Sequence, residues 1–159
     1  QEASIFRDLT VRENIDLALQ NSRYSLAAIR NRREQLINEF NLNKFVDNYG
    51  YQLSGGERRR CEIARALSVG RKGPKYLLLD EPFAGIDPLA VNDLKNLILK
   101  LSRGGVGILI TDHNVRETLL ITKKSYVLSE GEILAYGSSS KLAENPIVKK
   151  YYLGDNFKL

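Results

Sequence analysis

The apolar positions Val11, Ile15, Leu17 and Leu19 follow Thr10-Val11-Arg12-Glu13, whose S/T-x-x-E spacing is that of a capping box, and together they predict a short helix. From Ser25 onward Leu26, Ile29, Leu36, Ile37 and Phe40 recur mostly at helical spacing with basic residues on the opposite face. The first third of the chain therefore reads as all-helical. After Gly55 and Gly56 the texture changes. A helix from about Glu57 to Leu67 is punctuated by Gly70, Gly73 and Pro74, and the short apolar run Tyr76-Leu77-Leu78-Leu79 predicts a buried strand. Asp87-Pro88 opens another helix, with Asp as N-cap and Pro in the first turn. Leu94, Leu97, Ile98 and Leu101 form its apolar stripe and Gly104-Gly105 ends it. Gly107 to Thr111 predicts a second buried strand, followed by a helix from Val115 to about Ile121. This strand, helix, strand, helix order predicts an α/β fold with a parallel sheet. Tyr126 to Ser129 and Glu132 to Tyr136 flank Glu130-Gly131 as an antiparallel hairpin, and Asn145-Pro146 starts a last short helix. No internal repeat or low-complexity tract is visible.

Length and composition then narrow the class. A chain of 159 residues, 43% hydrophobic and 27% charged, can supply one core of its own. No stretch nears the roughly 20 apolar residues of a membrane-spanning helix, and the amino terminus has no signal-peptide pattern, so the expectation is a soluble, cytoplasmic protein. The single Cys61 excludes an intrachain disulfide and a cysteine-based metal cluster. A net charge of +5 admits nucleic acid or an anionic surface. The basic runs Arg58-Arg59-Arg60 and Arg30-Asn31-Arg32-Arg33 carry no interleaved aromatic residues for base stacking, and no nucleic-acid partner is expected. The chain begins at Gln1 and contains no methionine, which implies a piece of a longer polypeptide.

Candidate chemistry gathers at three places. Leu53-Ser54-Gly55-Gly56-Glu57 puts a hydroxyl and two side-chain-free residues at a helix start, where backbone N–H groups and the helix dipole favour an anion. Ser54 and Glu57 also satisfy a capping box that binds nothing, the commoner meaning of an isolated S-x-x-E. Asp80 and Glu81 stand at the carboxyl end of a predicted parallel strand, where open α/β sheets place ligand-binding groups; alone, they read equally as solvated loop charge. His113, the one histidine, follows the next strand as Thr111-Asp112-His113, although a lone histidine is more often structural.

Read as whole segments, Leu53 to Leu67 (LSGGERRRCEIARAL), Tyr76 to Pro82 (YLLLDEP) and Ala84-Gly85-Ile86-Asp87 resemble the signature motif, Walker B strand and D-loop of ABC-transporter ATPases. The resemblance covers essentially the whole chain. Asp80 to Pro88, Thr111 to Thr118 and the closing Tyr152 to Leu159 are most similar to the family members that power lipopolysaccharide export in Gram-negative bacteria, while amino-acid importers share part of them. It implies the C-terminal portion of a P-loop ABC ATPase domain. Residues 1–54 would be a Q-loop remnant and helical subdomain, and residues 55–159 the signature helix, the Walker B, D-loop and switch-histidine part of the core, and a C-terminal hairpin and helix.

Further roles follow by resemblance alone. Ser54, Gly55, Gly56 and Glu57 would bind ATP held by the opposite subunit of a homodimer. Asp80 and the Q-loop residue Gln1 would hold Mg²⁺, with Gln1 also reaching the nucleotide. Glu81 and His113 would be catalytic, Asp87 would line the dimer interface, and Ile5, Phe6 and Arg7 would border the docking groove for transmembrane permease subunits at the inner face of the bacterial inner membrane. The 159 residues contain no G-x-x-x-x-G-K-[ST], so the expectation is that this chain alone does not hydrolyse ATP. Two other readings stand beside this one. A lobe of a chromosome-maintenance or DNA-repair ATPase would require sustained heptads upstream of Leu53, and the Ser25–Phe40 pattern covers barely two. A folded interaction module without catalysis of its own describes the piece rather than its parent.

Overall fold

The computed structural model describes residues 4–20, 24–70 and 73–154. They fall into two units, one running to Thr111 and one starting at Asp112.

The first unit begins with α1 (Val11–Gln20) and α2 (Leu26–Glu39). The Thr10 capping box forms as the sequence predicts: Glu13 Oε2 accepts from the Thr10 amide at 2.7 Å, and the Glu13 amide donates back to Thr10 Oγ1 at 3.2 Å. Ser25 caps α2 by accepting from the Ala28 amide. Val11, Ile15, Leu19, Leu36, Ile37 and Phe40 are buried, each such side chain contributing about 1.5–3 kcal/mol relative to exposure. Three expected core positions are not: Leu17 and Leu26 are exposed and Ile29 is half-buried. Leu26 is the first residue of α2, and Leu17 is two residues from both Ile15 and Leu19, a separation that turns it off the stripe they share.

Helix α3 (Gly55–Ala66) packs on α1 and on α4 (Pro88–Arg103), and α4 packs on β2 (Gly107–Thr111). Asp87 caps α4 at 3.0 Å from the Ala90 amide, Pro88 fills its first turn, and Val91, Leu94, Leu97, Ile98 and Leu101 are its buried face. Strands β1 (Tyr76–Asp80) and β2 (Gly107–Thr111) pair in parallel, with Asp80 opposite Thr111. The sequence predicts both strands to be buried, and here the structure differs. Leu77 and Leu79 are covered, but Leu78 is 72% exposed and Leu109 61%. The pleat sends alternate side chains to opposite faces, so a sheet covered on one face buries only every second residue.

In the second unit, α5 (Val115–Ile121) matches the predicted span. The hairpin of β3 (Ser125–Ser129) and β4 (Glu132–Gly137) turns through Glu130 at φ 50° and Gly131 at φ 83°. Positive φ at both central residues is the type I′ geometry whose twist suits a two-residue hairpin. Its register shifts between Val127 and Leu128, an irregularity that the period-two pattern does not reveal. Helix α6 (Ser139–Glu144) is an element that the sequence reading does not predict. The predicted last helix is α7 (Pro146–Val148), capped by Asn145 and continued by a π-helical turn over Lys149–Leu153. Leu119, Leu142 and Val148 form the small core of this unit.

Candidate functional site

The start of α3 is built by two devices. Ser54 and Glu57 form the capping box: Glu57 Oε2 accepts from the Ser54 amide at 2.8 Å, and Ser54 Oγ accepts from the Glu57 amide at 3.4 Å. The structural role foreseen for these two residues is thus present, whatever else they bind. The glycines are required by close packing. A Cβ at Gly56 would lie 2.6 Å from the Ala90 Cβ on α4, and one at Gly55 would lie 2.9 Å from the Gly85 carbonyl oxygen. The start of α3 therefore abuts Gly85 and Ile86 directly. Asp87 itself is exposed, with one oxygen used by the α4 cap.

The carboxylate pair sits at the carboxyl end of β1. Asp80 is exposed, and its Oδ1 accepts from the hydroxyl of Thr111, its register partner on β2. Oxygen donors of this kind suit Mg²⁺, which is commonly bound by one or two carboxylates together with substrate phosphates rather than by an all-protein cage. Among the described residues no group of three or more His, Cys, Asp or Glu side chains could hold a metal by itself.

Glu81 follows at φ 42°, a left-handed conformation uncommon for a residue with a Cβ and one that concentrates at functional sites. Its amide extends the ladder by donating to the Thr111 carbonyl at 2.7 Å. Its own carbonyl accepts from the Ala84 amide at 3.2 Å, which turns the chain away from the sheet.

Three residues to which the sequence assigned no part in the site organise this region. Asn14 is fully buried: its Oδ1 accepts from the Phe6 amide and its Nδ2 donates to the carbonyls of Phe6, Leu9 and Thr10 at 3.0–3.1 Å, stitching the Ile5–Thr10 segment to α1. Its signal was available, since it is a polar residue three positions after Val11 on an otherwise apolar stripe. Arg59 and Glu62 pair at 2.8 Å on α3. Glu62 also accepts from the Ser4 amide at 2.9 Å, and Arg59 donates to the Glu81 carbonyl at 3.2 Å. Ser4, Arg59 and Glu62, with Asp80 and Leu77, line a groove of about 240 Å³.

Ile5 is buried, whereas Phe6 and Arg7 are exposed, and the Arg65 guanidinium stacks 5.0 Å above the Phe6 ring. His113 belongs to the second unit. Its side chain is exposed, and its Nδ1 lies 4.0 Å from the Asp112 carboxylate, which is buried and accepts from the Asn114 amide at 2.7 Å. Gln1 lies outside the described residues. Ser54 to Glu57, Asp80, Glu81 and Asp87 therefore share one unit, whereas His113 stands in the other.

Comparison with known proteins gives a consistent picture. Residues 1–84 match the family described as ABC transporter. Over its full length the chain is 50% identical to the lipopolysaccharide export system ATP-binding protein LptB of Haemophilus influenzae, 46% to that of Acidithiobacillus ferridurans and 47% to that of Escherichia coli K12. It spans 65% of the length of each. Among solved structures, cbiO1 of Clostridium perfringens, part of an ABC transporter complex, superposes with a TM-score of 0.79 at 26% identity, over 87% of this chain and 54% of that one. An ATP-binding cassette of an ABC transporter in its ADP conformation gives a TM-score of 0.76 at 26% identity, covering 94% of this chain and 64% of its own.

Proposed function

Because the chain belongs to the ABC transporter family, we propose that it is part of an ATP-hydrolysing subunit, and that the subunit energises lipopolysaccharide export at the inner face of the bacterial inner membrane. The observation that carries the hydrolytic part is the carboxylate pair Asp80 and Glu81 at the end of β1, with Glu81 in a left-handed turn beside α3. The cargo rests on the full-length similarity to export ATP-binding proteins.

In this reading two subunits face one another, and each presents Ser54, Gly55 and Gly56 to the γ-phosphate of ATP held by the other. The capped helix start supplies the backbone amides of Gly55 and Gly56 and the positive end of the α3 dipole. Asp80, and Gln1 from outside the described residues, would hold Mg²⁺, which supplies charge neutralisation at the phosphates when bound. Glu81 orients the attacking water and accepts its proton. His113 donates a hydrogen bond to the γ-phosphoryl oxygens as charge develops. Asp87 lies at the seam between subunits, and the Ile5, Phe6 and Arg7 segment receives the membrane partner. No helix among the described residues is long and apolar enough to cross a membrane, so that partner would supply the path.

The deciding experiment is Glu81→Gln in the full-length protein. Turnover of ATP should fall by about 10²-fold or more while nucleotide affinity stays near that of the parent. Normal turnover would remove Glu81 from its role.

A further inference from the structure

Glu81 leaves β1 at φ 42°, and a side chain that aims a water is only as well placed as the backbone that carries it. The donors on its carbonyl oxygen come from two directions. The Ala84 amide, at 3.2 Å, belongs to the turn itself, and Arg59 Nη2, at 3.2 Å, reaches across from α3. Together they occupy both lone pairs of that oxygen.

Arg59 is in turn held by its other nitrogen. Nη1 lies 2.8 Å from Glu62 Oε2, an i,i+3 pair on one rigid helix, and the Glu62 side chain is only 8% exposed. The remaining Glu62 oxygen accepts from the Ser4 amide at 2.9 Å, so the carboxylate is fixed from both ends.

We propose that Arg59 is a positioning residue for hydrolysis, its guanidinium bridging the Glu62 carboxylate to the main-chain carbonyl of Glu81 and holding that residue in its left-handed turn. The inference rests on the reading of Glu81 as the water-activating group. The planar fork is what the role needs, because one group must satisfy two acceptors at fixed angles. A lysine ammonium keeps the charge and loses the geometry. Through Ser4 the same carboxylate also meets the segment that leads into Ile5, Phe6 and Arg7, so a shift of that segment bears on Arg59 before it bears on Glu81.

The test uses the full-length ATPase with R59Q, R59K, E62Q and the R59Q/E62Q pair. It reads ATP turnover together with hydrogen exchange of the Ala84 amide in nucleotide-free protein. R59Q should lower kcat by about tenfold with KM for ATP within about twofold, the pattern of a group acting on the transition state rather than on binding. Ala84 should exchange about tenfold faster as the turn loosens, while amides of α1 keep their protection.

R59K should stay closer to R59Q than to the parent, and E62Q should add nothing once Arg59 is gone, as expected of two residues in one relay. Unchanged Ala84 exchange in R59Q, full rescue by R59K, or a uniform loss of protection through α1 and α3 would each overturn the proposal. Failure of the underlying reading shows separately, as normal turnover of E81Q.

Discussion

Cys61 is fully buried inside α3, and burial, reinforced by Glu62 and opposed by Arg65, pushes its thiol up to about 12 from an ordinary value of 9.0. The folded chain keeps this proton where the unfolded chain releases it, so above about pH 9 the unfolded state binds fewer protons and stability falls toward pH 12. Urea midpoints measured at pH 8 and pH 10 should therefore drop further for the parent than for Cys61→Ala. The same burial should make the folded protein inert to thiol reagents near neutral pH. That Cys61 is unpaired could be read from the sequence; that it is sealed could not, because helical periodicity does not say which stripe faces inward. The roles of Asn14, Arg59 and Glu62 in the site went unread for a related reason. Each earns its place through partners remote in sequence, at Phe6, Glu81 and Ser4.

Among the elements, the contact of α3 with α4 is a tight constraint. Gly56→Ala would press its new methyl to 2.6 Å from the Ala90 Cβ, and the overpacking should cost about 1–3 kcal/mol. Ala90→Gly in the same chain should recover most of the loss, a coupling that chemical denaturation of the single and double variants would register. Failure of the rescue would mean that Gly56 is needed for some other reason. Element boundaries governed by local chemistry were legible: the caps at Thr10, Ser54 and Asp87 and the Glu130-Gly131 turn all answer to residues within a few positions. The burial of β1 and β2 was not, because an apolar run is the same string whether one face or both are covered. Helix α6 was missed because Ser139-Ser140-Lys141 gives no apolar periodicity until Leu142 and Ala143 meet the rest of their unit.

For the molecule as a whole, the open face of the β1–β2 sheet matters most. Tyr76, Leu78 and Leu109 present apolar surface there, and the 159-residue chain should self-associate through it; replacing Leu78 and Leu109 by Lys should lower its weight-average mass in light scattering. A monodisperse parent chain would count against that expectation. At this scale the family was legible from motifs, whereas the division at Thr111 was not, since no Pro- or Gly-rich linker marks it.

The cap on α3 also separates two properties that usually travel together. The bond from the Glu57 amide uses Ser54 Oγ as an acceptor and leaves the hydroxyl proton for an outside oxygen. Aspartate caps a helix as well as serine but has no proton to give and adds a negative charge. Ser54→Asp should thus be a folded, nucleotide-loading variant with a damaged γ-phosphate contact, and in the proposed pair that damage falls on the partner's ATP. Such an allele would be genetically dominant: co-expressed with the parent it should poison mixed pairs, while a destabilised allele would merely be diluted out.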